Sequence, residues 1–190
     1  MKKQALFVGI VILAILCLGI VFAQDEAGLL EEAKVLLAEG KLEEAQRKLE
    51  AVRLSLWNKL PMRVEKATFV EEKTQSFGTF RKRASSVFAK GETIFVYGEP
   101  KNYVILREDD LYHIFFVMDF RLYDSKGNQL ASQDEFGSFR FITQSPVFEA
   151  FLDVSFNSAG LEAGDYILEV VVRDKLSEKS ANLRLPFKIR

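Results

Sequence analysis

The chain is poor in the side chains from which most catalytic and metal sites are built. Its 190 residues include one cysteine, Cys17, and one histidine, His113. A Ser-His-Asp or Cys-His arrangement would have only His113 to use, and a zinc site needs several nitrogen or sulfur ligands. Since His113 lies on the polar face of an alternating segment, we expect it to be a surface residue. The sequence thus predicts no catalytic residue, no metal ligand and no cofactor, and it favours a protein that is not an enzyme.

Cysteine is missing after residue 17, and proline is scarce, with four in the whole chain. No disulfide can therefore form within residues 24–190. Phenylalanine, in contrast, occurs 17 times. Few prolines and many aromatic residues indicate a packed core rather than a disordered chain. We expect the fold to be stabilised mainly by the burial of apolar side chains.

An excess of positive charge is also missing. Residues 1–23 carry two lysines and no acidic residue, which leaves 24 basic and 27 acidic side chains in the rest of the chain. Proteins that bind nucleic acid normally present a basic surface that attracts the phosphates. We therefore expect no nucleic-acid partner.

The first 23 residues have the pattern of an export signal. Lys2 and Lys3 form a positive start, residues 5–22 are an uncharged apolar run, and a small residue precedes Gln24. This order is typical of a signal peptide that is cut before Gln24. The apolar run is also nearly long enough to cross a bilayer, so a retained membrane anchor is the alternative. In both cases we expect the rest of the chain to be periplasmic or secreted, with membrane contact only through residues 1–23 if they are uncleaved.

Residues 24–60 have the periodicity of two amphipathic helices. The segment is rich in Ala, Leu, Glu and Lys, and its apolar residues recur every three or four positions. Gly40 lies between the two halves, where a residue without a Cβ atom can take the left-handed conformation that ends a helix. Pro61 closes the segment. We therefore predict a helical hairpin over residues 24–60.

This hairpin resembles a single tetratricopeptide-type repeat over residues 29–57. The resemblance rests on small and large packing residues at the positions of that repeat: Ala33, Leu36, Gly40, Leu42, Ala45, Leu49, Ala51 and Val52. Such repeats bury their apolar faces against neighbours, and the chain has no second copy. Either the hairpin packs on the following domain or spaces it from the membrane, or it docks a protein partner. The docking residues would be Leu29, Leu36, Leu49 and Val52.

From residue 61 onward, apolar and polar residues alternate, which is the pattern of half-buried strands. The clearest run is Tyr112 to Tyr123. Further runs lie at Ala67 to Val70, Thr93 to Gly98, Gln129 to Ser132, Phe136 to Ile142, Phe148 to Phe156, Tyr166 to Arg173 and Ala181 to Ile189. Pro186 has no N–H to donate, which predicts an edge or a bulge in the last strand. Seven or eight short strands predict an antiparallel β-sandwich over residues 61–190.

The segment Leu161-Glu162-Ala163-Gly164-Asp165-Tyr166 resembles the L-x-x-G-x-Y turn of immunoglobulin-like and fibronectin type III-like domains of exported bacterial proteins. The resemblance implies an immunoglobulin-like sandwich with a tyrosine corner at Gly164 and Tyr166, in which the tyrosine hydroxyl bonds to backbone upstream. The cysteine pair and core tryptophan of antibody domains are missing. Because this architecture hosts many functions, it does not specify one.

With no recognisable reaction centre, the sequence favours a non-enzymatic interaction or structural protein of the cell envelope, with a protein partner. Two alternatives stay open. Tyr97 and Tyr103 flank a predicted loop, and exposed tyrosines there would stack on the sugar rings of a glycan in a carbohydrate-binding module. A hydrolase with scattered carboxylates is the other alternative. The acidic residues at 108–110 lack complete calcium-ligand spacing, which favours a solvated turn.

Overall fold

The computed structural model describes residues 25–190, and the elements nearest the start of this range are two helices. Helix α1 spans Glu26–Ala38 and α2 spans Leu42–Lys59. The Asp25 side chain caps α1 by accepting a hydrogen bond from the Gly28 N–H (2.8 Å), and Gly40 reverses the chain with a φ of 74°. The predicted helical hairpin is therefore present. The predicted export signal, residues 1–23, lies outside the described residues.

Nine strands follow in the described chain. Their bounds are β1 (Arg63–Val70), β2 (Val87–Phe88), β3 (Thr93–Lys101), β4 (Leu106–Glu108), β5 (Leu111–Asp124), β6 (Gln129–Thr143), β7 (Leu152–Asn157), β8 (Gly164–Asp174) and β9 (Ser180–Ile189). The smaller sheet has the order β1-β3-β7. The larger has the order β2-β9-β8-β5-β4, with β6 also paired to β5. All these pairings are antiparallel except that of β2 with β9.

Both sheets contribute to one hydrophobic core, and together they are called the β domain below. The core contains alternate residues of the long strands, among them Ile94, Val96, Ile114, Phe116, Leu152, Val154, Leu168, Val170, Leu183 and Phe187. Strand β1 lies against β9, and Phe156 of β7 meets Phe120 of β5 with ring centroids 5.4 Å apart. The smaller sheet therefore covers β9, β8 and β5 but stops short of β6. The described chain is mainly β, with a helical hairpin before it.

The strands differ from the sequence prediction in number and extent. The segments expected at residues 129–132 and 136–142 form one strand, β6. Both pair with β5, and the residues between them form a bulge that keeps the strand continuous. Met118 pairs with Gly137 while Phe120 pairs with Gln133, which leaves residues 134–136 as the bulge. Strand β7 starts at Leu152, four residues later than expected. Strands β2 and β4 were not expected, because two or three residues are too few to show alternation.

Pro186 lies in a part of β9 that pairs with one neighbour only. Its partner is Ile167 of β8, whereas β2 meets β9 at Lys188 and Ile189. A proline is tolerated here because no second strand needs its missing N–H. Strand β9 as a whole is not an edge strand, because β2 pairs with its last residues, but the predicted unpaired edge is present at Pro186.

A buried carboxylate fixes the bulge in β6. Asp119 is 2% exposed and accepts a hydrogen bond from the Glu135 N–H (2.9 Å). Arg173 donates two further bonds to Asp119, at 2.8 and 2.9 Å. These bonds hold Glu135 at a φ of 48°, a conformation that costs a side-chain-bearing residue free energy. The Arg173 guanidinium also holds the pKa of Asp119 below its usual value.

Among residues 25–190, no helix combines the length and apolarity that crossing a bilayer requires.

Candidate protein-binding surfaces

Trp57 attaches the helical hairpin to the β domain. Its indole Nε1 donates to the Tyr103 carbonyl (2.7 Å), and its ring meets Tyr103 and Phe148 edge-on, with centroids 5.2 and 5.1 Å apart. Arg53, one turn earlier, places its guanidinium 3.9 Å above the Phe148 ring. The last turn of α2 therefore belongs to the packing of the β domain.

Asn58 and Lys179 add polar contacts at the same junction. The Asn58 side chain donates to the Ile105 carbonyl (3.0 Å) and accepts from the Ile105 N–H (2.9 Å). The Lys179 Nζ donates to the carbonyls of Asn58 (2.6 Å) and Asn102 (2.9 Å). Burial lowers the pKa of Lys179 below its usual value. One end of the hairpin is thus held in a fixed position on the sheets.

Helix α1 packs on α2 through small residues. Three of them are buried: Ala33, Ala45 and Val52. Lys48 pairs with Glu32 across the helices at 2.6 Å, and Glu26 accepts hydrogen bonds from Lys59 and Ser55. The bond from Lys59 is the main reason why the pKa of Glu26 is lowered to about 2. The position of α1 is therefore set by α2.

The hairpin also exposes an apolar face. In α2, leucines recur every seven residues at Leu42, Leu49 and Leu56, a spacing that places them on one side of a helix. Leu30 and Leu37 of α1 border them on the same side of the interhelical seam. These five side chains, called the leucine face, are each between 41% and 65% exposed. A contiguous exposed apolar face of this kind is typical of a protein-interaction site.

The four predicted docking residues divide between the leucine face and the packed seam. Leu49 belongs to the leucine face, Val52 is buried, and Leu29 and Leu36 are half-buried. The spacing of apolar residues predicted which positions of each helix are apolar. It did not predict which of these positions are buried between the two helices. The covered stripe is the one that contains alanines, because small side chains let two helices approach closely.

The two tyrosines considered for sugar stacking are both fully buried, so the expectation that they are exposed on a loop is wrong. Tyr97 lies inside β3, which continues through residues 98–101, and its ring stacks on Phe80 at 4.1 Å. Burial raises the pKa of Tyr97 to about 12. The Tyr103 hydroxyl donates to the Val147 carbonyl (2.8 Å). Neither ring gives support to the carbohydrate-binding alternative.

Glu99 lies buried beside Tyr97 and is fully paired. It accepts hydrogen bonds from Tyr97 (2.9 Å) and Lys66 (3.0 Å), and its other oxygen lies 3.0 Å from the Lys101 Nζ. Burial alone would raise the pKa of Glu99, but these three partners outweigh it, so the pKa lies below its usual value. Glu99 therefore supports β3 and the neighbouring loop rather than an open cation site.

Tyr166 makes the backbone contact that its sequence context predicts. Its hydroxyl donates to the Glu162 carbonyl (2.9 Å), and its ring stacks on Phe187 at 5.5 Å. Gly164 is the first residue of β8. The two residues therefore fix the turn through which the chain enters that strand.

A second apolar surface lies at the open edge of the β domain. In the described chain, β6 pairs only with β5 and β7 pairs only with β3, so each strand has one unpaired edge. Because the smaller sheet stops short of β6, the inner face of β6 borders a gap beside β7. This gap is called the edge cleft. It holds cavities of about 650 and 560 Å³ at its two ends.

Aromatic side chains line the edge cleft at the end where β7 begins. Phe139 stacks on the buried Phe116 at 4.8 Å, and Phe141 contacts Phe139 at 4.2 Å. Phe141 is 48% exposed. Thr74 forms another wall; it is 6% exposed, and its hydroxyl has no hydrogen-bond partner among the described residues. The cleft thus combines apolar walls with one unsatisfied polar group.

Sequence reasoning missed the edge cleft. The alternation at residues 136–142 places Phe139 and Phe141 on one face, which is a signal for a strand with an apolar side. Whether that side is covered depends on how many strands the opposite sheet has, and alternation within one segment does not report this. Thr74 lies in a segment with no recognisable pattern.

The chain matches no protein-family model and no curated protein. It is similar to the solved structure of Spo0M, a sporulation control protein from Bacillus subtilis, at 9% identity and a TM-score of 0.36, over 69% of this chain and 50% of Spo0M. It is also similar to the alkylpurine DNA glycosylase AlkC from Pseudomonas fluorescens, at 14% identity and a TM-score of 0.38, over 77% of this chain and 37% of AlkC.

A third similar structure is the sulfur carrier protein SoxY from Chlorobium limicola f thiosulfatophilum, at 12% identity and a TM-score of 0.28. The match covers 76% of this chain and 98% of SoxY. The chain spans half the length of Spo0M and about a third of AlkC. With TM-scores below 0.5, none of the three carries an argument about this chain.

Proposed function

We propose that this chain is a non-enzymatic interaction protein that works outside the cytoplasm and docks a helical partner protein on its leucine face. The proposal rests on the three residues that α2 contributes to the leucine face. This helix directs Val52 towards α1, where it is buried, and Trp57 towards the β domain, where it is half-buried. Leu42, Leu49 and Leu56 are the apolar residues that remain for a partner.

The chemistry of the leucine face indicates the kind of partner. Apolar side chains at seven-residue spacing on one helix, flanked by two on the next, fit the apolar stripe of another amphipathic helix. The tetratricopeptide resemblance supports the same mode, because such repeats stack helix pairs on one another. The partner is therefore a protein with a helix or helical hairpin that carries its own exposed leucine stripe.

The β domain is, in this proposal, an immunoglobulin-like sandwich that serves as a scaffold. The facing orders β1-β3-β7 and β9-β8-β5-β6 correspond to strands A-B-E and G-F-C-C′ of that architecture. The hydrogen bond from Tyr166 to the Glu162 carbonyl fits the same assignment. Domains of this architecture often act through their edges and loops, which is consistent with a binding role.

The paired state of two buried acids, Glu99 and Asp119, supports a non-enzymatic role. Glu99 is bonded to Lys66 and lies beside Lys101, and Asp119 is bonded to Arg173. Each of these cations keeps its carboxylate ionised, so neither acid is held in the protonated form that a general acid requires. Both contribute to stability instead.

A photo-crosslinking side chain in place of Leu49 tests the proposed docking. We expect a discrete adduct with an envelope protein, and we expect the adduct to disappear when Leu42 and Leu56 are both changed to Gln. The apolar contact is then lost, while stability changes by less than about 0.5 kcal/mol because both residues are exposed. The adduct is measured by mass spectrometry, and stability by urea denaturation.

Lys34, which is exposed on the same hairpin, provides the matched control. Lys34→Gln should leave the adduct from position 49 unchanged. An adduct that consists of two copies of this chain would contradict a foreign partner, and an adduct that survives the double leucine change would contradict the leucine face. Hydrolytic activity of the pure protein would contradict the non-enzymatic role.

A further inference from the structure

We infer that the edge cleft binds an extended peptide segment of a partner protein, which adds to β7 as a fourth strand of the smaller sheet. The place for this strand arises from the unequal width of the two sheets. Strand β7 lies over β5, so the position beside β7 and opposite β6 is not filled by any described strand. The site lies apart from the leucine face and does not depend on it.

The free edge of β7 supplies the main-chain partners. An unpaired strand edge presents N–H and C=O groups that readily bond another extended chain. Natural edge strands are commonly blocked by lysine, proline or a bulge. Strand β7 has the sequence Leu-Asp-Val-Ser-Phe-Asn and pairs with β3 without a register shift. It therefore contains no lysine, no proline and no bulge. Its six residues match a peptide segment of about 20 Å.

The inner face of β6 supplies the apolar contacts. Phe139 lies opposite Phe116 and Phe141 lies opposite Ile114, and directly opposed residues share one face of a sheet. Between these rings and the bulge lies Gly137, where an added Cβ atom would come within 2.6 Å of the Met118 methyl group. The inner face therefore offers the half-buried Phe139 ring and the exposed Phe141 ring at alternate positions, while the Met118 side chain fills the space over Gly137. Apolar side chains at alternate positions of an incoming strand fit this spacing.

Thr74 provides an independent sign of an occupant. Its N–H donates to Asp153 (3.3 Å), which fixes the residue at the cleft, while its hydroxyl is buried without a partner among the described residues. Leaving a buried hydroxyl unbonded costs free energy, and native proteins rarely do so. A peptide that passes between Thr74 and β6 brings carbonyl and N–H groups within reach of this hydroxyl.

These requirements select a strand over other apolar ligands. A helix satisfies its own backbone groups, and a lipid chain has no groups to offer, so neither would pair the edge of β7. A strand satisfies the edge with its backbone and places every second side chain on Phe139 and Phe141. The occupant is therefore an extended segment with apolar residues at alternate positions and polar residues between them.

A labelled peptide of alternating threonine and valine, eight residues long, is the probe. We expect saturable binding to the purified protein by fluorescence anisotropy. Two further peptides carry N-methyl groups on alternate residues, one on the odd and one on the even positions, so that each blocks one hydrogen-bonding edge. One of them should bind and the other should not. Equal binding by both, or no binding by any peptide, would overturn the inference.

Two neighbouring residues of β6 provide a matched pair of variants. Phe141→Lys places a charge on the inner face and should weaken binding of the probe about tenfold or more, because the apolar contact between the ring and the peptide is lost. Ile142→Lys changes an equally exposed residue (54%) on the outer face and should leave affinity within about twofold. If the two variants bind equally well, the peptide does not occupy the cleft.

Thr74→Val separates binding from folding. Valine has nearly the same shape but no hydroxyl, so we expect several-fold weaker binding together with an unchanged or raised midpoint of thermal unfolding. Unchanged binding would remove Thr74 from the site and count against this placement of the peptide. Sedimentation of the protein without peptide completes the test. A dimer that dissociates when the peptide is added would identify a second copy as the occupant and overturn the assignment to a partner protein.

Discussion

At the level of single residues, the buried charges of this protein are held by short networks of hydrogen bonds. Asp119 is the clearest example, since its two oxygens accept bonds from one guanidinium and one backbone N–H. The same residue determines where β6 bulges. A charge that is costly to bury alone is stable here because both partners reach it.

We expect Asp119→Asn to lower the free energy of unfolding at pH 7 by about 2–3 kcal/mol, because Arg173 loses its buried counter-ion and keeps only the exposed Glu135, at 3.4 Å. This lies below the usual range for a buried pair, since the Arg173 side chain is 38% exposed. The folded-state pKa of Asp119 lies below its unfolded value of about 3.9. The pair therefore stabilises the protein above that pH, and the contribution is lost as the pH falls through the folded pKa.

Urea denaturation of the wild type and the variant at pH 7 and at pH 3 measures both effects, and the difference between them should shrink at the lower pH. Asp110 serves as the control, because it forms an exposed pair with Arg107. Asp110→Asn should change the free energy of unfolding by less than about 0.5 kcal/mol. Equal losses for Asp119 and Asp110, or a loss that does not depend on pH, would contradict this account.

At the level of elements, the hairpin depends on the last turn of α2. Trp57 and Asn58 bond to the segment between β3 and β4, while α1 is placed through α2. Elements with few buried contacts open locally without global unfolding. The hairpin is therefore expected to be the less stable part of the described chain.

Hydrogen exchange should show this difference directly. We expect amides of α1 to exchange faster than those of β8, and Asn58→Ala to lower the protection of both helices about tenfold, because two hydrogen bonds to Ile105 are lost. Protection in β8 should stay unchanged. Asn182→Ala, which removes an exposed bond to Glu169, is the control and should leave the helices unaffected. A uniform loss across helices and strands would indicate that the hairpin and the sheets unfold together.

Elements in which apolar residues recur regularly over many positions could be predicted from the sequence. Features that depend on contacts with distant segments could not. Strand β5 was expected at residues 112–123 and spans Leu111–Asp124, because alternation over a dozen residues identifies a half-buried strand. The bulge at residues 134–136 depends on the contact of Glu135 with Asp119 in a neighbouring strand. Of the candidate site residues, Leu49 was found from its helical spacing. Phe141 was missed because its exposure depends on the width of the opposite sheet, and Thr74 because its segment has no recognisable pattern.

At the level of the whole molecule, the leucine face and the edge cleft are parts of one body. The leucine face lies on the hairpin and the edge cleft on the β domain, and the junction at Trp57 joins them. The two proposed partners, one helical and one extended, would bind at these separate surfaces. A protein with this arrangement would bring both partners together.

The proposed extracytoplasmic location predicts the start of the native chain. We expect the exported form to begin at Gln24, because the small residue before it suits signal peptidase. Mass spectrometry of the N-terminal peptide from cells measures this. A native chain that starts at Met1 in the membrane fraction would instead support the retained anchor, and a full-length chain in the cytoplasm would contradict export.

Trp57 is the sole tryptophan of the chain, and it is wedged at the junction between hairpin and sheets. Its emission spectrum therefore reports the contact between α2 and the β domain. A red shift that precedes the loss of the β-sheet circular dichroism signal would time the release of the hairpin without any added label.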